Sequence, residues 1–215
     1  MIVDVDQQSA EWIQLRCGMV TGSRVADVMA KLKTKDRESA ARATYRTEIV
    51  CETLTGRAAD HYVSPAMEWG TLTEPLARTE YELLRNLDVD LIGFAIHPTI
   101  KRFGASPDGL VSSDGLVEFK CPNTSTHIDW FLEGKVPEEY QPQMLAEMVC
   151  TDRQWCDFVS FDPRLPKKLR LYCVRFKRDD ERIKAMEAEV NKFLAEVDET
   201  ISQLDKLANG MSWAS

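Results

Sequence analysis

The sequence predicts a mixed α/β domain in which a central mixed sheet is covered by helices. Three observations lead there. The first third of the chain reads as consecutive helices, the middle as short strands with an Asp-Gly pair between two apolar runs, and the end as two alternating strands before one long amphipathic helix. A chain of 215 residues with 44% hydrophobic and 29% charged residues suits a single domain, 1–215, with one sizeable core.

Taken in order, Ser9 can cap a short helix carrying Trp12, Ile13 and Leu15 and ending near Gly18. Thr21-Gly22-Ser23 opens a second helix, with Val25, Val28, Met29 and Leu32 at helical spacing. Lys31 to Arg37 is a basic connector. A third helix is expected from about Glu38 to Leu54, stopping at Gly56. Ser64-Pro65 is a start signal for a fourth, continuing to about Arg85. Leu91 to Ile96 reads as a strand, and Phe103 begins an extended stretch. Asp108 to Val111 and Leu116 to Lys120 read as a hairpin joined by Ser112-Ser113-Asp114-Gly115. Two short helices follow, about Thr124 to Leu132 and Glu138 to Val149, then strands about Gln154 to Phe161 and Leu169 to Phe176. The closing helix, about 179–207, lines up Ile183, Met186, Val190, Phe193, Leu194 and Val197 on one stripe, which suits packing within the chain.

The net charge of −8 argues against a nucleic-acid partner until its distribution is read. Asp179 to Asp205 holds nine acids and three bases, a local charge of −6. Arg16 to Arg46 holds eight bases and three acids, a local charge of +5. A basic N-terminal region can therefore face phosphates while an acidic helix faces solvent. The six cysteines form no C-x-x-C pair and have no histidine at zinc spacing, so free thiols and an intracellular location are expected. No apolar run approaches the ~20 residues of a membrane helix, and the acidic start of the chain does not resemble a secretory signal.

The stretch that carries chemistry is Ser106-Pro107-Asp108-Gly109 followed by Val117-Glu118-Phe119-Lys120. Alternate residues of a strand share a face, so Glu118 and Lys120 point one way, and Val117 and Phe119 point the other way into a core. Asp108 lies across the hairpin from them. Two carboxylates held close repel unless a proton or cation sits between them. A hard divalent ion such as Mg²⁺ suits that position, and it makes water nucleophilic and stabilises the leaving oxygen in phosphodiester cleavage. Lys120 would add a charge for the developing negative oxygen and position or deprotonate the water.

These blocks resemble the PD-(D/E)xK nuclease core in the form found in lambda exonuclease and the YqaJ-type viral recombinases. Trp12-Ile13-Gln14-Leu15-Arg16, Gly18 to Ser23, Met67-Glu68-Trp69-Gly70 with Glu74, Tyr140-x-x-Gln143 and Phe161-Asp162-Pro163-Arg164 resemble further blocks of that family in the same order, from Glu11 to Phe176. The resemblance implies a restriction-endonuclease-like central mixed sheet with helices on both sides. It implies a 5′-to-3′ exonuclease on double-stranded DNA that releases 5′-mononucleotides and leaves a 3′ single-stranded tail for recombination. A homotrimeric ring around DNA, a single-strand annealing protein as partner, and a phage or prophage origin in the bacterial cytoplasm are implied with it.

Carried over residue by residue, Asp108 and Glu118 would bind Mg²⁺ (Mn²⁺ substituting) together with the Phe119 carbonyl, and Lys120 would activate the water. Glu74 would support the metal site, and Gln143 matches the helix glutamine of the motif. Arg16, Ser23 and Ser106 would hold the 5′-phosphate, through an arginine fork and a helix start, and Met67 would take the place of an apolar wedge. Pro142, between Tyr140 and Gln143, departs from the pattern and is expected to shift that helix start. Tyr140 reads equally as a core aromatic or a site residue. Trp12, Trp69, Trp130 and Trp155 read as packing, and His61, His97 and His127 are assigned no chemistry. An endonuclease of the same fold, or a DNA-binding protein without catalysis, are the alternatives. The Arg16/Ser23/Ser106 pocket favours the exonuclease, and intact Asp108, Glu118 and Lys120 argue for catalysis.

Overall fold

The structure is a computed structural model, and it describes residues 1–30, 38–59 and 63–210. A short strand, β1 (Ile2–Val3), precedes helix α1 (Ala10–Arg16), where the Ser9 hydroxyl accepts the Trp12 N–H at 3.1 Å. Strand β2 (Val20–Thr21) comes next. The second helix is present with Val25, Val28 and Met29, but it opens through a 3-10 turn, Gly22–Arg24, and α2 (Val25–Met29) has five residues. Leu32 and the basic connector 31–37 lie outside the described residues, as does His61. Helix α3 (Ala40–Thr55) is capped by Ser39 and ends at Gly56, whose φ of +65° suits a residue without a Cβ. Helix α4 (Pro65–Arg85) starts at Ser64 with proline in its first turn, where a missing N–H goes unused.

Of the stretch expected as a strand from Leu91 to Ile96, only β4 (Phe94–Ile96) is one; β3 (Val89–Asp90) lies just before it and belongs to the other sheet. The remaining strands are β5 (Phe103–Ala105), β6 (Gly109–Val111), β7 (Gly115–Lys120), β8 (Trp155–Phe161) and β9 (Leu171–Lys177). They form two mixed sheets rather than one: four strands in the order β1-β4-β5-β2, and five in the order β3-β6-β7-β8-β9. In the larger sheet β7 is antiparallel to β6 and parallel to β8. The parallel pair needs a crossover, and α5 (Thr124–Glu133) with α6 (Gln141–Thr151) supplies it. Pro142 does move the last of these: α6 starts three residues later than the expected Glu138, with the proline in its first turn.

The hairpin is right in place and different in detail. Val111 pairs with Gly115, so the turn is Ser112 to Asp114, and the left-handed residue is Ser112 with φ +54°. Gly115 is needed for another reason, since a Cβ there would collide with the Trp155 ring.

Both faces of the five-stranded sheet are covered. Leu116 and Phe158 join the main core with α6 and the final helix, α7 (Asp180–Gly210). Val117, Phe119 and Val159 pack against Ala77 and Tyr81 of α4 in a second cluster. The expectation that only the Val117 and Phe119 side faces a core is therefore corrected: Glu118 lies on the Leu116 side and is 1% exposed.

The expected stripe of α7, from Ile183 to Val197, is buried. Its acids do more than face solvent. Glu196 pairs with Arg42 and Arg46 of α3, Asp198 with Arg102 at 2.6 Å, and Glu187 lies 2.9 Å from His97. Arg24 pairs with Asp27 and Glu48. Much of the described N-terminal positive charge thus ties helices together and is not presented to a partner. Among the described residues no helix is long and apolar enough to cross a membrane.

Candidate active site

The β6–β7 hairpin brings the two acids together. Asp108 immediately precedes β6, and its Oδ2 accepts the Phe119 backbone N–H at 2.6 Å. Strand alternation puts Glu118 and Lys120 on one face, with Lys120 Nζ 2.5 Å from Glu118 Oε1. From α6, Gln143 donates its Nε2 to the same Oε1 at 2.6 Å and to Glu147 Oε1 at 2.8 Å. Glu74 reaches the group from α4, half-buried and within the field of Glu118 and Lys120. Asp108, Glu118, Lys120, Glu74 and Gln143 are therefore gathered from three separate parts of the chain. Glu147 was not anticipated. The signal was present: it is an acid inside the apolar run Met144 to Cys150, one helical turn from Gln143.

Crowding of acids sets the electrostatics. Burial, then Glu118 and Glu74, push the Asp108 carboxyl well above the usual range. Burial, then Glu118 and Asp108, do the same to Glu147, and burial with Glu118 raises Glu74. Burial alone would lower Lys120, but the Glu118 and Asp108 carboxylates outweigh it and hold its proton firmly. The Lys120 ammonium also lies 4.8 Å from the centre of the Tyr140 ring, which stacks on Phe158 at 5.7 Å. Tyr140 is thus both core aromatic and site wall.

One cavity opens on this group and a second adjoins it. The first, of about 400 Å³, is lined by Glu74, Phe119, Lys120 and Tyr140. The second, of about 730 Å³, is lined by Trp12, Arg16, Ser23 and Arg24. Met67 and Thr71 line both, so the cavities adjoin across the start of α4, and Met67 is 53% exposed at that border. Arg16 lies over the Trp12 ring at 3.6 Å, and its buried Nε has no hydrogen-bond partner. Burial, opposed by Tyr45 and Glu52, brings its pKa down to about 10, so it stays charged at neutral pH.

The expected pocket needs two corrections. Ser23 sits in the 3-10 turn ahead of a five-residue helix, so it lacks the aligned N–H groups of a long helix start. The Ser106 hydroxyl accepts the Trp12 indole N–H at 2.9 Å and so lies behind Trp12, not on the lining of the larger cavity. Trp12, read from sequence as packing, joins Arg16 to Ser106. Phe161-Asp162-Pro163-Arg164 closes the neighbouring corner. Asp162 is fully buried and held by Arg164 and Thr124, and Arg164 also stacks over Trp69 at 4.6 Å.

No group of three or more His, Cys, Asp and Glu side chains among the described residues is arranged as a ready metal cage. The chemistry of the centre nevertheless fits a hard divalent cation. Glu118 Oε2 is buried with no nitrogen or hydroxyl donor, and beyond the effect of burial Glu118 pushes Asp108 toward protonation while Glu118 and Asp108 together push Glu147. A cation such as Mg²⁺ binds through one or two carboxylates and keeps waters or substrate oxygens for the rest of its shell.

Residues 11–154 match the family described as the YqaJ-like viral recombinase domain. The chain belongs to this family. The alkaline exonuclease LHK-Exo from Laribacter hongkongensis is 46% identical over 95% of this chain and 100% of its own, with a TM-score of 0.87, and 0.88 for its complex with dAMP. A phage-related exonuclease from Haemophilus somnus 129PT, 19% identical over 86% of this chain and 96% of its own, has a TM-score of 0.70 and shows the shared fold. No curated protein matches significantly. Family membership, with the restriction-endonuclease-like fold of these exonucleases, supports a nuclease role for this YqaJ-family chain.

Proposed function

We propose that this protein is a Mg²⁺-dependent 5′-to-3′ exonuclease that acts on double-stranded DNA ends, releases 5′-mononucleotides and leaves a 3′ single-stranded tail. One observation carries the reading. The cavity holding Arg16 and Ser23 adjoins the one holding Glu74 and Lys120 across Met67 and Thr71. A cationic end pocket beside a hydrolytic centre suits cleavage next to a terminal phosphate.

In this reading Arg16, stacked on Trp12 and with its buried Nε unpartnered, receives the 5′-phosphate, and Ser23 adds a hydroxyl. Met67 stands between the cavities as the wedge that separates the terminal pair. Asp108, Glu118 and the Phe119 carbonyl would hold Mg²⁺, or Mn²⁺ in its place, with Glu74 in support. The ion, when bound, supplies a polarised water and charge at the leaving oxygen. Lys120, kept protonated by its carboxylate neighbours, positions that water and offsets the developing negative charge. That dAMP, a deoxynucleoside monophosphate, is bound in an LHK-Exo crystal structure supports mononucleotides as the product class.

The same reading includes a homotrimeric ring around DNA, a single-strand annealing protein that takes the tail, and work in a bacterial cytoplasm on behalf of a phage or prophage. A ring needs a basic lining only in its channel, which reconciles DNA as substrate with a net charge of −8.

The test is digestion of linear duplex with Mg²⁺ or EDTA, with 5′-phosphate or 5′-hydroxyl ends, beside a closed circle. Expected are loss of activity in EDTA, faster digestion of the phosphorylated end, and an intact circle. Arg16→Ala should lower activity on 5′-phosphate ends about 10-fold or more and erase the preference, as for loss of a hydrogen bond to a charged group. Rapid cutting of the closed circle would reject the exonuclease in favour of an endonuclease.

A further inference from the structure

Glu147 is an acid with no part in the proposed metal binding or phosphate recognition. It sits one helical turn after Gln143 on α6, 1% exposed, within a stretch from Met144 to Cys150 whose every residue is buried. A leucine or methionine could pack there without desolvating a carboxyl group. Instead, Glu147 Oε1 accepts from Gln143 Nε2 at 2.8 Å, while the same nitrogen donates to Glu118 Oε1 at 2.6 Å. A primary amide nitrogen carries two hydrogens, and both are engaged here. The amide can therefore neither flip nor swing off Glu118 without leaving a buried acceptor bare.

We infer that Glu147 is a positioning residue: it locks the Gln143 amide onto Glu118, and through that amide fixes the carboxylate that Lys120 also grips. The inference rests on the proposed nuclease reading of the centre. Among the described residues Glu118 Oε1 has two nitrogen donors, Gln143 from α6 and Lys120 from its own strand, and the Glu147 carboxyl also lies beside Glu118, where the like charge pushes it up. The lysine is on a flexible stem, so the α6 donor is the one that can define an angle, provided it is itself held. Glu147 provides that hold from the same helix, at the i, i+4 spacing that makes the two side chains neighbours.

The test compares Glu147→Leu, which removes the acceptor at similar volume, with Glu147→Gln, which keeps a carbonyl acceptor. Gln143→Ala and the double variant Glu147→Leu/Gln143→Ala complete the set. Turnover on linear 5′-phosphorylated duplex is measured for each. The side-chain amide resonance of Gln143, identified by its absence in Gln143→Ala, is followed in metal-free protein. Glu147→Leu should lower kcat about 10- to 100-fold with KM for DNA little changed, the usual range when a group behind a ligand is removed. Glu147→Gln should recover most of that loss. The double variant should be no slower than Gln143→Ala alone, because residues acting in series are not additive. The Gln143 amide signal should move in Glu147→Leu and stay in place in Glu147→Gln.

Wild-type kcat in Glu147→Leu, an unmoved amide signal, or a full additional loss in the Gln143→Ala background would each overturn the inference, as would a Glu147→Gln variant as slow as Glu147→Leu. Should leucine prevent folding, Glu147→Met takes its place under the same criteria. Failure of the wild-type protein to digest duplex would instead sink the nuclease reading, and the amide signal would still report whether Glu147 holds Gln143.

Discussion

Two carboxylates on neighbouring strands of one sheet have opposite fates. Asp157 of β8 pairs in register with Val117, so it faces the α4 side, whereas Glu118 is paired with Phe158 and faces the other. Asp157 is fully buried, yet its needs are met: Tyr81 donates at 2.8 Å, Arg85 at 3.1 Å and Arg175 at 2.7 Å. Burial alone would raise it, but hydrogen bonds from Arg175 and Tyr81 prevail and hold it below the usual range. Around Glu118 stand Asp108, Glu147 and Glu74 with the ammonium of Lys120; Glu118 Oε2 and Glu147 Oε2 meet no nitrogen or hydroxyl donor, and the Glu147 carboxyl lies close enough to Glu118 to be pushed up by it. Burial of an acid is therefore not what marks the candidate active site. Incomplete neutralisation marks it, because a buried acid left with spare lone pairs retains affinity for a cation.

The largest effect expected from this contrast is catalytic. Glu118→Gln and Lys120→Ala should each lower turnover at least about 1,000-fold, the scale of losing a principal electrostatic group. Both should fold. Glu118→Gln removes one negative charge from a crowded set, so its Tm should match or exceed that of the wild type in EDTA. A Lys120→Ala protein that digests DNA at the normal rate would remove Lys120 from the chemistry. A Glu118→Gln protein that melts far below the wild type would mean that the group around Glu118 is a structural network like the one around Asp157.

Asp157→Asn should give the reverse profile. It leaves two arginines and a tyrosine without their shared acceptor charge, at a cost of about 2–3 kcal/mol, discounted because both arginines are partly exposed. For a chain of this size that lowers Tm by roughly 5–10 °C. Activity per folded molecule, measured well below the melting point, should be close to normal. Equal loss of turnover and stability would place Asp157 in the working centre and dissolve the distinction between the two faces.

Much of this contrast was legible in the sequence, and the illegible part has physical causes. The Asp-Gly signal and the alternation of Val117 to Lys120 located the hairpin, because turn chemistry and strand period are local. The second sheet was not legible: β1 and β2 have two residues each, too few to show a period, and gain their partners from Phe94–Ala95 and Phe103–Gly104 far along the chain. The burial of Glu118 was missed because alternation says which residues share a face, not whether that face is covered. Trp12 was read as packing because an aromatic that packs and one that seats an arginine look alike without Ser106 and Arg16 in view. Similarly, the N-terminal bases looked available for phosphate, but whether an arginine pairs with Glu196 across the fold depends on tertiary structure alone.

The smallest effect, and the finest test of the contrast, is the dependence of stability on pH without divalent metal. Asp108, Glu147 and Glu74 have pKa values raised in the folded state, so at these three groups the native protein binds more protons than the unfolded chain above about pH 4, the ordinary carboxylate range, while His97, lowered by burial, works in the opposite sense at about pH 6. The contribution of these three acids to stability falls as pH rises from that range through the raised values, and with three acids against one histidine it sets the sign of the slope. Lys120 contributes no slope there, because a raised lysine gives its full stabilisation below its unfolded pKa of about 10. Asp157 and Asp162 act on the acid side. Their folded pKa values are depressed, that of Asp162 to about 2 despite its burial, through Arg164 and Thr124. Their stabilisation is complete above about pH 4 and is lost as pH falls through the depressed values. In EDTA, Tm should therefore decline from pH 5 to pH 8, Glu118→Gln should flatten that decline by removing a charge that raises both Asp108 and Glu147, and Asp157→Asn should leave its slope unchanged. Added Mg²⁺ should raise Tm most at the alkaline end, where the carboxylates are ionised and a cation has most to neutralise. A Tm that climbs steadily across this range in EDTA would show that the acids around Glu118 are already neutralised, and that the two faces of the sheet do not differ as described.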